Sequence, residues 1–171
     1  MDMYEQLQDE ARKDGIDVLD YCFESERIKG LYCDGTVAIR KDLNITEKSC
    51  VLAEELGHHY TTSGNILDQS TAVNRKQEQR ARLWAYNRQI GLMGIISAWK
   101  HGCRTCYEMA EFLGVTEEFL SEALSAYKSK YGIYKAIVLY FQNLRLKNYG
   151  TTLIEWNISI LCRSMKKYCL W

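Results

Sequence analysis

Ten residues, Val51-Leu52-Ala53-Glu54-Glu55-Leu56-Gly57-His58-His59-Tyr60, restrict this chain more than any other stretch. A helix opening at Thr46-Glu47-Lys48, where a cap is available, runs through Leu52 and Leu56 and carries the charged residues with it. Residues four apart on a helix stack on one face, about 6 Å apart at Cβ, so Glu54 and His58 can reach a common ion. Glu55 lies about 100° round the helix from Glu54, beside that position. The spacing is that of the zinc helix H-E-x-x-H, in which two ligands sit one turn apart and the glutamate after the first is the general base. In this chain Glu54 holds the first ligand position, Glu55 the base position and His58 the second ligand position.

A catalytic zinc site takes a third protein ligand and leaves one place open. The best candidate is Glu78 in Gln77-Glu78-Gln79-Arg80-Ala81-Arg82-Leu83-Trp84-Ala85. Glu78, Ala81 and Ala85 share a helix face, and the small alanines allow close approach to the first helix, with Gly57 as the facing residue. Arg75, Lys76, Arg80 and Arg82 read as the solvated face of the same helix.

The segment Leu52-Ala53-Glu54-Glu55-Leu56-Gly57-His58 and the pattern Glu78-x-x-Ala81-x-x-Trp84-Ala85 resemble the ImmA/IrrE metallopeptidases, whose corresponding motifs read L-A-H-E-L-G-H and E-x-x-A-x-x-F-A. The resemblance covers roughly residues 20–130. It implies a zincin-like fold, Glu55 as base, and His58 and Glu78 as metal ligands. It also implies a substrate class: helix-turn-helix repressors of phages and other mobile elements, whose cleavage derepresses the element.

Glu54 departs from that pattern. A Glu54/His58/Glu78 set brings two negative charges to a divalent ion where a His/His/Glu set brings one. Such a set makes a water molecule harder to ionise at neutral pH. It suits manganese or iron as well as zinc. His59 is the alternative replacement ligand. Because neighbouring helix residues point about 100° apart, that alternative requires the helix to loosen near Gly57. An alternative role goes with the departure: a catalytically weak or inactive family member that binds a protein partner. Tyr60 can donate to an oxyanion, although a tyrosine so placed is more often a packed amphipathic residue.

Around this centre the chain reads as α+β and predominantly helical, with a zincin-like metallopeptidase domain over residues 1–100. A helix covers Met1 to about Lys13, an extended piece follows Gly15, and a hairpin pairs Arg27–Tyr32 with Thr36–Ile39 across an Asp34-Gly35 turn. A loop containing Asp68 leads to a long helix from Asn74 to about Trp99, with Gly91 or Gly94 as a possible break. Residues 101–132 form an appended helical pair, Thr105–Leu113 and Thr116–Ser129, turned at Gly114-Val115 with the cadence of a helix-turn-helix. Its second helix begins Thr116-Glu117-Glu118 and continues Ser121-Glu122, which repels phosphate. Direct DNA binding is therefore disfavoured, and the pair reads as a packing or partner-docking unit. Residues 133–171 carry six basic side chains against one acidic, Glu155, and form a diverged basic and aromatic tail.

Composition removes other classes. Lys+Arg and Asp+Glu are equal at 22 each, so no long-range field draws the chain to nucleic acid or anionic membrane. The polar, acidic start and the short apolar runs give no signal for secretion or membrane spanning, so a cytoplasmic location is expected. The seven cysteines form no disulfide ladder, and Cys103-Arg104-Thr105-Cys106 lacks a partner motif; it reads as two ordinary thiols near a helix start. Oligomeric state is not legible.

Overall fold

The computed structural model describes residues 2–61 and 72–131. Helix α1 (Met3–Lys13) starts at a capping box, in which the Asp2 side chain accepts from the Glu5 N–H and the Glu5 carboxylate accepts from the Asp2 N–H. It buries Tyr4, Leu7 and Ala11, the face expected from their spacing. Strands β1 (Asp17–Tyr21), β2 (Gly30–Cys33) and β3 (Thr36–Arg40) form one sheet in the order β1-β3-β2. The β2–β3 hairpin is the one announced by Asp34-Gly35. Both turn residues have positive φ, 44° and 80°, matching the twist of the strands they join. Strand β1 adds in parallel to the far side of β3, pairing Val18 with Val37 and Asp20 with Ile39. Val37 and Ile39 are fully buried.

Helix α2 (Ile45–Thr61) packs against α1, β2 and β3. Its cap is Asn44, two residues before the expected start. The Asn44 side chain accepts from the Glu47 N–H, and Glu47 reaches back to the Asn44 N–H, both at 2.9 Å. An asparagine competes well for this role because its amide oxygen satisfies an otherwise orphaned donor of the first turn. Lys48 is buried, and its ammonium meets Asp20 of β1 at 2.7 Å, tying the helix to the sheet. The long helix expected from the sequence is divided, as one of its two glycine breaks allowed, into α3 (Ala72–Gln89) and α4 (Gly91–His101). The break is at Gly91, whose φ of 57° cannot continue a right-handed helix.

Close packing of α2 on α3 organises the molecule. Ala81 and Ala85 are fully buried, and a Cβ added at Gly57 would collide with the Ala81 carbonyl oxygen and lie 3.0 Å from its carbonyl carbon. Further along, the Gln89 side-chain amide nitrogen donates to the Ser49 backbone carbonyl at 2.8 Å and to its hydroxyl at 2.7 Å, which ties the two helices together. Helices α5 (Cys106–Leu113) and α6 (Glu117–Tyr131) form the anticipated pair, with Gly114 left-handed at φ 66° and Ala110, Val115 and Leu120 buried. Thr105 caps α5 through a box with Glu108. The architecture is α+β and predominantly helical, and no helix among the described residues is long and apolar enough to cross a membrane. The expected Asp68 loop, the expected helix-ending residues 62–65, and the 133–171 tail lie outside the described residues.

Cys50 lies within this core, 5 % exposed, and burial pushes its thiol up to about 11. At pH 8 it then carries roughly a hundredfold less thiolate than an ordinary cysteine. Iodoacetamide treatment of the folded protein, mapped by peptide mass spectrometry, is expected to label the exposed Cys22 and Cys33 while sparing Cys50. Equal labelling of Cys50 would contradict the packing of α2.

Candidate metal centre

Helices α2 and α3 bring His58 and Glu78 together. The Nε2 atom of His58 lies 3.3 Å from Oε2 of Glu78, both side chains being more than three-quarters buried. Burial holds the His58 imidazole below its usual range, against the opposing pull of the Glu78 carboxylate. Two ligand atoms at zinc-binding distances of about 2.0–2.1 Å in a tetrahedral arrangement are separated by about 3.3–3.4 Å. The His58–Glu78 separation matches one edge of such a tetrahedron, so this part of the donor set fits a divalent ion. Gly57 makes it possible, because a side chain there would hold the two helices apart.

Glu54 sits one turn before His58 and looks into a cavity of about 160 Å³ that is also lined by Arg82 and Glu122. Burial pushes its carboxyl up to about 7, with Arg82 the largest opposing influence and Glu122 and Glu78 adding to the rise. Among the described residues, no three of His, Cys, Asp and Glu are grouped as an ion-holding set. His58 and Glu78 thus meet each other, while Glu54 shares its surroundings with a guanidinium.

Glu55 projects toward the sheet. Its Oε2 accepts from the Tyr32 N–H of β2 at 2.8 Å. Burial pushes its carboxyl up to about 7, the Tyr32 hydrogen bond pulling against that and Glu54 and Glu78 adding to it. A group with that value near neutral pH can both take and return a proton. Gly30 permits the close approach of β2: a Cβ there would strike Val51 and stand 3.1 Å from Glu55 Oε1.

His59 is directed elsewhere. Its Nδ1 is 2.7 Å from the Tyr32 hydroxyl, and its ring packs edge-on against Tyr32 and Tyr60. Helix α2 continues through Gly57 to Thr61 without the loosening that ligation by His59 would need. The Tyr60 hydroxyl donates to Asp14, and its ring packs against Trp84, which places it as an amphipathic packing residue.

Arg82 is where the sequence misleads. Read as part of a solvated face, it is half-buried and bridges two carboxylates. Its Nε donates to Glu78 Oε1 at 2.6 Å and its NH1 to Glu122 Oε2 at 3.1 Å. Tyr86 also donates to Glu122, at 2.8 Å. The i, i+4 spacing of Glu78 and Arg82 was the available signal for the first pair. Nothing local signalled Glu122, because α6 reaches α3 only through the tertiary fold. The acidic start of α6 therefore faces the centre, and Glu118 also approaches Lys29 at 3.4 Å.

A family model described as the IrrE N-terminal-like domain, Peptidase_M78, matches residues 11–125. That span contains all five motif positions: Glu54, Glu55, His58, His59 and Glu78. No curated protein and no solved structure matches the chain.

Proposed function

Because this chain belongs to the IrrE N-terminal-like domain family of M78 metallopeptidases, we propose that it is a metal-dependent endopeptidase. The single observation that carries the proposal is the convergence of His58 and Glu78 from separate helices at 3.3 Å, the His58 helix also carrying Glu55. His58 and Glu78 hold the ion, and Glu54 is the third ligand in this reading, in place of the usual histidine. The ion is zinc, with manganese or iron also suited to a carboxylate-rich set. When bound, it supplies Lewis acidity toward a water molecule and a peptide carbonyl.

The chain's own residues do the rest. The Tyr32 N–H fixes the orientation of the Glu55 carboxylate, and burial keeps the water shell of bulk solvent away from it. Glu55 takes the proton of the attacking water and returns it to the leaving amine. Burial lowers the proton affinity of His58, which favours a ring nitrogen available for ligation. The substrate is a helix-turn-helix repressor of a phage or other mobile element, a class carried by the family resemblance, and the reaction takes place in the cytoplasm.

The test uses the full chain with such a repressor, followed by electrophoresis and intact-mass measurement. Cleavage is expected with added Zn²⁺ or Mn²⁺ and is expected to disappear on EDTA treatment. Cleavage that persists without loss in EDTA would overturn metal dependence. A second reading, a partner-binding protein without turnover, is favoured by one observation: Arg82 already pairs with Glu78. Stable repressor binding with no cleavage under any metal, unaltered by Glu54→His, would select it.

A further inference from the structure

The two oxygens of Glu78 are divided between different partners. Oε2 faces His58 at 3.3 Å, while Oε1 accepts from Arg82 at 2.6 Å. Arg82 also holds Glu122 at 3.1 Å and lines the same cavity as Glu54. Its guanidinium is thus a fixed positive charge among three carboxylates from three helices: Glu54 on α2, Glu78 on α3 and Glu122 on α6. Like charges gathered in a partly buried place repel one another unless a cation lies among them. A divalent ion is one such cation, and a tethered guanidinium is another.

We propose that Arg82 is a built-in competitor of the metal, holding the centre assembled in its absence and setting how tightly a divalent ion binds. This inference rests on the reading of His58 and Glu78 as ligands. Its physical basis is the shared use of Glu78. An ion that takes Oε2 draws on a carboxylate whose charge is already partly neutralised by Arg82, and the ion also feels repulsion from the guanidinium itself. Arg82 is a positioning residue in this scheme, since it acts through Glu78.

The experiment compares the full-length wild-type protein with Arg82→Gln and Arg82→Lys. Zn²⁺ and Mn²⁺ affinities are measured by competition with a chromophoric chelator, and melting temperatures are recorded in EDTA and in excess Zn²⁺. Arg82→Gln is expected to melt at least about 4 °C lower than wild type in EDTA. It is expected to regain that loss with Zn²⁺ and to bind Zn²⁺ at least about tenfold more tightly than wild type. Arg82→Lys, which keeps the charge, is expected to stay within about threefold of the wild-type affinity. If wild type binds Zn²⁺ and Arg82→Gln binds it equally or more weakly, the competition is overturned while the metal centre stands. If Arg82→Lys gains as much affinity as Arg82→Gln, charge is not the cause and the proposal falls. If neither wild type nor Arg82→Gln binds Zn²⁺ or Mn²⁺, the assignment of His58 and Glu78 as ligands falls together with the proposal.

Discussion

Glu55→Gln is expected to lower peptidase turnover by about 10²- to 10⁴-fold, the range associated with losing a general base, while leaving metal content unchanged. The amide oxygen can still accept from the Tyr32 N–H, so the local hydrogen bond survives the change. The substitution also removes a carboxyl that burial has pushed up to about 7. A buried acid with a raised folded value favours the protonated form, so it destabilises the fold as pH rises from the unfolded value through about 7. The glutamine variant should therefore melt no lower than wild type at pH 8. Loss of cleavage with an unchanged or higher melting temperature separates a chemical role from a structural one. Retained cleavage would remove Glu55 from the mechanism.

The second large effect is at Gly57. In an ordinary exposed helix, Gly→Ala gains about 1 kcal/mol from helix propensity. At this position the added methyl meets the carbonyl oxygen of Ala81, which belongs to a helix backbone and cannot swing aside. Overpacking of this kind typically costs about 1–3 kcal/mol and occasionally more, enough to outweigh the propensity gain. Gly57→Ala is thus expected to destabilise the protein in urea melts, and Gly57→Val to do so further. Where Gly57→Ala remains folded, separation of α2 from α3 moves Glu78 away from His58, and Zn²⁺ affinity falls. A Gly57→Ala protein as stable as wild type would show that the two helices do not approach as described.

Several elements were legible because local chemistry decided them. The Asp34-Gly35 turn, the left-handed Gly114 and the Glu78/Ala81/Ala85 face each follow from steric or periodic rules acting within a few residues. The pairing of Gly57 with Ala81 was also readable, since small residues on two motif helices have few other uses. The start of α2 was misplaced because Thr46 and Asn44 are both good caps, and the choice depends on where the chain leaves β3. The role of Arg82 was hidden for a different reason. A cation on a polar helix is solvated by default, and the arrival of α6 with Glu122 is what gives it a second carboxylate to bridge. The same holds for Tyr32, whose N–H finds Glu55 across the sheet-to-helix junction.

Helix α2 contacts α1, α3, β2 and β3, and it carries the proposed base and two of the three proposed ligands. A segment so shared leaves little latitude for change, because one altered side chain disturbs the core, the sheet and the chemistry at once. The acidic rim supplied by the exposed Glu117 and Glu118 of α6 is bound by fewer such constraints. Diversification of what this scaffold recognises is accordingly expected to accumulate on that rim, and the helix behind it to vary slowest.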